Sequence, residues 1–102
     1  MSSIFNLYVR DEAMVEEALR SNQIYFRSGD RRLRDQVAPE YECKKDTSTV
    51  WITISSIPED EQFKFALLNA SSPDSGFLIE VKEALLKSGA LDSDGYKKAP
   101  LP

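Results

Sequence analysis

The middle of this chain is its most strand-like part, and it restricts the fold more than any other stretch. Val50-Trp51-Ile52-Thr53-Ile54 is an unbroken run of β-branched and aromatic residues, the types that fit a pleated sheet. Turn formers bracket it, with Asp46-Thr47-Ser48 before and Pro58-Glu59-Asp60 after. Residues 41–45 and 62–68 are strand-like in turn. The spacing therefore predicts an antiparallel meander through the centre of the chain.

The flanking segments add one strand and one helix on the N-terminal side. Residues 4–9 read as a strand, with Phe5, Leu7 and Val9 on one face and Ile4, Asn6 and Tyr8 on the other. Asp11 supplies an N-cap and Glu12 puts negative charge into the first helical turn. Met14, Val15, Ala18 and Leu19 repeat at helical spacing, and Asn22 is expected to end the helix in the left-handed conformation. Residues 23–27, with Ile24, Tyr25 and Phe26, form a short second strand closed by a turn at Ser28-Gly29-Asp30.

Residues 31–37 admit two readings. Asp30 can cap a short helix that buries Leu33 and Val37, four residues apart, or the segment can return as the polar edge of a hairpin. The helix is preferred, because a strand face of Leu33, Asp35 and Val37 carries a charge in its middle. Pro39 ends either version. Further on, Ser72-Pro73-Asp74 is an N-cap followed by proline and an acid in the first turn. Phe77, Leu78, Val81, Leu85 and Ala84 form one apolar stripe, and Gly89 is a C-cap. The expected architecture is α+β: a small antiparallel or mixed sheet of four to five strands, with two main helices packed on one face. Residues 1–91 make this single domain, and 92–102 are expected to trail along its surface as a polar tail.

Composition bounds the function. A chain of 102 residues with 41% apolar and 29% charged residues is one globular domain. No apolar run approaches the roughly 20 residues that span a bilayer, and the first residues lack the basic and apolar regions of a secretory signal. A cytoplasmic protein without membrane contact is the expectation. One cysteine excludes an internal disulfide framework and a thiolate-rich zinc site.

The absence of histidine removes the commonest general base and rules out Ser-His-Asp and Cys-His catalysis within the chain. Its four glycines are scattered, so no phosphate-cradling loop is present. Cys43 alternates in a strand and reads as a small core residue rather than a nucleophile, although Lys44 and Lys45 are nearby cations. Asp92-Ser93-Asp94-Gly95 matches the start of a calcium loop but lacks its remaining spacing and its terminal glutamate. No catalytic group, metal site or cofactor is expected, and the chain is not read as an enzyme.

Two charged segments remain. Glu12, Glu16 and Glu17 on the first helix and Glu59, Asp60 and Glu61 in the predicted turn form a negative surface if they lie together. The opposite resource is Arg27, Arg31, Arg32 and Arg34, four arginines against Asp30, a local 4 − 1 = +3 in a chain of net −4. Tyr8 and Trp51 are possible contact aromatics, with core packing the expected role of Trp51. Size, acidity and missing catalytic groups fit a non-catalytic protein binder. An inhibitor of the immunity or antitoxin kind, docking its acidic surface on a basic protein such as a toxin, is the leading expectation. The alternative is a small regulatory module that takes an anionic ligand or, less readily, nucleic acid through the arginine segment.

Overall fold

The computed structural model describes residues 4–32, 34–71 and 76–98. Five strands and three helices follow one another as β1 (Ile4–Val9), α1 (Glu12–Ser21), β2 (Tyr25–Arg32), β3 (Val37–Lys45), β4 (Ser48–Ile57), β5 (Asp60–Ala70), α2 (Gly76–Lys87) and α3 (Ser93–Lys98). The strands form one fully antiparallel sheet in the order β1-β5-β4-β3-β2. An α+β fold is thus observed, with the meander extended to four strands and β1 added beside β5.

The central strand seats everything else. Val50, Ile52 and Ile54 of β4 are at most 1% exposed and point to one face. Tyr41 and Cys43 of β3, Ala66 and Leu68 of β5, and Leu7 and Val9 of β1 share their cluster. Val15, Ala18 and Leu19 of α1 and Phe77, Leu78, Val81, Ala84 and Leu85 of α2 cover that face. The chain leaves β1 at one edge and re-enters at β2 on the opposite edge. Four strand spacings of about 4.8 Å separate them, roughly 19 Å, and a ten-residue helix supplies about 15 Å of that crossing.

The caps follow local chemistry. Asp11 adopts extended backbone and its carboxylate accepts the Met14 N–H at 2.8 Å. The expected left-handed Asn22 instead has φ −105°, with its Nδ2 donating to the Ala18 carbonyl at 2.8 Å. The left-handed residue is Gln23, at φ 58°. Asn22 thus ends the helix through its side chain and displaces the reversal by one position. The capping expected at Ser72, Pro73 and Asp74 lies outside the described residues.

The described residues of 31–37 form no helix. β2 runs straight through the expected turn at Ser28-Gly29-Asp30 to Arg32, and Val37 begins β3. Register explains the outcome: Arg27 stands opposite Glu42 and Gly29 opposite Glu40, so pairing satisfies backbone groups and matches charge. Val37 is 56% exposed, so it had no helical core to join, and Leu33 lies outside the described residues. Pro39 does not end the element either. It sits inside β3, one residue before the β3–β4 pairing begins at Glu40.

Residues 93–98 of the expected trailing tail form α3. Asp92 accepts the Gly95 N–H at 2.7 Å, and the Tyr96 ring stacks on Tyr8 at 4.0 Å. The carboxylate that suggested a calcium loop is therefore a helix cap.

Two left-handed positions give predictions of opposite sign. Gln23→Gly relieves a side chain from a conformation that suits glycine and is expected to raise stability by about 0.5–1 kcal/mol. Gly89→Ala, at φ 107°, is expected to lower it by about 1 kcal/mol through backbone strain, since a Cβ there meets only the Met14 methyl at 3.6 Å. Urea unfolding of both variants checks the pair.

Candidate functional site: the uncovered face of the sheet

Strand alternation that sends Val50, Ile52 and Ile54 into the core sends Trp51, Thr53 and Ser55 the other way. Contrary to the core role expected for it, Trp51 lies on the face that α1 and α2 leave bare, and it is half-buried there. The register builds two cross-strand rows on this face. Ile4, Asn69, Trp51, Glu42 and Arg27 stand side by side across all five strands. Asn6, Leu67, Thr53, Glu40 and Gly29 form the next row.

Polar contacts hold part of this surface in place. Thr53, 8% exposed, donates its hydroxyl to Glu40 Oε2 at 3.1 Å, and the same oxygen lies 3.5 Å from Arg31 Nη1. Lys44 pairs with Glu42 at 3.2 Å. Gly29 leaves open space beside Glu40. A shallow concavity results, lined by Asp30, Arg31, Arg32, Glu40, Trp51 and Asn69. Asn69 Oδ1 is buried and accepts no hydrogen bond among the described residues. A buried acceptor without a donor costs free energy on the order of 1–3 kcal/mol.

One end of this face is closed. Tyr8, Phe63 and Phe65 belong to it, and Tyr96 of α3 stacks on Tyr8 and meets Phe63 edge-on. Tyr96 also donates its hydroxyl to Asp60. That hydrogen bond, followed by the Phe63 and Gln62 amides, holds the Asp60 carboxyl below its ordinary pKa, while the same contact raises the Tyr96 hydroxyl.

The six acids expected to bind a partner are distributed differently. β1 and β4 both run antiparallel to β5, so the start of α1 and the β4–β5 turn share one end of the sheet. Glu12 is there, 3.5 Å from Lys64 of β5. Glu16 and Glu17 lie further along α1. Glu16 pairs with Arg20 at 3.1 Å and accepts the Tyr41 hydroxyl at 2.8 Å, and Glu17 accepts the Ser21 hydroxyl. Asp60 is occupied by Tyr96 and two backbone amides, which leaves Glu59 and Glu61 without an ion pair among the described residues. The arginines run the opposite way. Arg27, Arg31 and Arg32 are exposed on β2 and Arg34 follows in the turn, and of these only Arg31 is ion-paired among the described residues.

Sequence reasoning missed Trp51, Thr53, Asn69 and Glu40 as one surface. The signal was the polar member of each apolar pair in β4, which a strand apolar on average conceals. Cys43 is fully buried, and burial followed by the nearby Glu42 charge pushes its thiol from 9.0 up to about 12. Such a thiol is not poised as a nucleophile. No group of three or more metal-ligating side chains exists among the described residues, and no helix among them is long and apolar enough to cross a membrane. Protein-family models, curated proteins and solved structures yield no match to this chain.

Alkaline unfolding tests the buried groups. Cys43 and Tyr41 both hold their protons more tightly folded than unfolded, Tyr41 chiefly through burial and then through Glu16. Their contribution is intact below the unfolded values of 9.0 and 10.0 and is lost as pH rises through the folded ones. Unfolding free energy in urea is expected to be level from about pH 7 to 8 and to fall above about pH 9. Cys43→Ala makes that fall shallower.

Proposed function

We propose that this chain is a non-catalytic protein-binding domain whose contact surface is the uncovered sheet face centred on Trp51. The observation that carries this reading is the row Ile4-Asn69-Trp51-Glu42-Arg27, an aromatic centre between polar Asn69 and Glu42, with apolar Ile4 at one end and Arg27 at the other. Half-buried aromatics supply large contact area at small entropic cost, and charges at the rim set orientation.

A compact domain that binds without chemistry acts by occupying a surface its partner needs. That is the action of an inhibitor of the immunity or antitoxin kind, and it is the role assigned to this chain in the proposal. The acidic surface is a weaker basis for a basic partner, because Glu12, Glu16 and Asp60 already serve contacts within the chain. It retains Glu17, Glu59 and Glu61 as exposed carboxylates that can steer such a partner's approach.

The two surfaces are separated by substitution. Immobilised wild-type chain, Trp51→Lys and the Glu12→Lys, Glu16→Lys, Glu17→Lys triple variant are each exposed to lysate of the source organism, after circular dichroism shows all three folded. A protein retained at equal stoichiometry by the wild type and the triple variant, and lost by Trp51→Lys, is the expected result. Loss with the triple variant alone moves the contact to α1, and recovery of nucleic acid instead of protein overturns the reading.

A further inference from the structure

The two edges of the sheet are unlike. At β1, Tyr8 exchanges both backbone hydrogen bonds with Leu91, at 2.8 and 2.9 Å, and α3 packs beside it. At β2 no strand or loop among the described residues takes the outer side. All eight residues are exposed except Phe26, and Tyr25 is 65% exposed. An edge of this length presents a row of backbone donors and acceptors able to pair with another extended chain.

We propose that β2 takes an acidic, extended segment of a partner protein as a sixth strand. This rests on the protein-binding reading and names the chemistry of the segment that makes the contact. Alternation places Arg27 and Arg31 on the uncovered face and Asp30 with Arg32 on the other, so the guanidinium excess that an added strand meets lies on the uncovered face. Arg27, Arg32 and Arg34 have no ion pair among the described residues, and guanidinium forks match carboxylates with two parallel hydrogen bonds.

Charge decides among the possible occupants. Two copies of this chain can pair β2 with β2 only about a two-fold axis, which sets one local +3 beside another. With Gly29 facing its own symmetry mate, Arg27 faces Arg31 of the second copy, a like-charge pair. Arginines on the edge thus disfavour self-pairing in this register while leaving the ladder open to an acidic strand. Nucleic acid fits less well. Its bases would have to stack across the uncovered face, where Glu40 and Glu42 stand between the arginines and Trp51 and repel phosphate. A peptide pairs outboard of those carboxylates.

The test uses the isotopically labelled full chain with a single-stranded oligonucleotide and three synthetic peptides as long as β2: one alternating glutamate and valine, its lysine counterpart, and the acidic peptide N-methylated at alternate residues. The acidic peptide is expected to slow amide exchange in Tyr25–Arg32 and to bind at least about tenfold more tightly than the lysine peptide. The methylated peptide keeps the charge but cannot complete the ladder, and its binding is expected to be lost. Arg27→Glu combined with Arg31→Glu, with melting temperature as the check on folding, reverses the charge preference. No protection of β2 overturns the proposal, as does equal binding by the methylated peptide or tighter binding by a single-stranded oligonucleotide. If Trp51 governs partner capture while β2 ignores the acidic peptide, the edge proposal alone fails. If neither surface responds, both fail.

Discussion

The alternation of β4 is the constraint on which the rest of the molecule depends. Three β-branched side chains, Val50, Ile52 and Ile54, are withdrawn from water on one face of the middle strand. Burying each stabilises the fold by roughly 1.5–3 kcal/mol before entropy is counted. A slip of one residue would send Ile52 to solvent and Trp51 under the helices, so the pairing of β4 with β3 and β5 is strongly specified. Tyr41, Cys43, Ala66 and Leu68 reach the same face because their strands are locked to that register. Both helices then have one apolar floor on which to lie. The uncovered face is the other consequence of the same alternation: what the core takes from β4 determines what β4 shows.

Legibility in the sequence followed the range of the interactions. The Asp11 cap, the α1 and α2 stripes and the β4 run are local signals, and each stands where its spacing placed it. β2 carries almost no local signal. Its residues are polar, with a glycine in the middle, and their strand conformation comes from pairing with β3, opposite residues as far as 11 and 19 positions away in the pairs Gly29–Glu40 and Tyr25–Lys44. Tyr96 gave no hint of helix either. Its ring is held by Tyr8, which lies at the far end of the sequence. For the candidate site, the arginines were legible as a cluster but not as an edge, and Trp51 was legible as a strand residue but not as one facing outward.

Charge was countable in the sequence, whereas its use was not. A net −4 suggests an acidic exterior. In the fold, Glu12, Glu16 and Asp60 are drawn into contacts with Lys64, Tyr41 and Tyr96 that tie α1 and α3 to the sheet. Several of the cations form no ion pair among the described residues. The arginines of β2 face outward because an edge strand has only one neighbour to pair with, and β3 offers them Glu42 and Glu40. Net charge therefore misreports the sign of the surface that has the most unused hydrogen-bonding capacity.

Geometry connects the edge with the uncovered face. The row that contains Trp51 ends at Arg27, and β3 alone separates β4 from β2. A strand added outside β2 lies three spacings, about 14 Å, from β4. Four or five further residues of extended chain, at about 3.3 Å each, bridge that distance. One polypeptide can therefore pair with the edge and fold back over the face, placing carboxylates on the arginines and side chains against Trp51. Two separate weak contacts become one, because the second forms at the high effective concentration set by the first. The Tyr8–Leu91 bridge and α3 cover part of the opposite edge and give this arrangement its direction, since the β2 side offers both an open ladder and an adjoining open face.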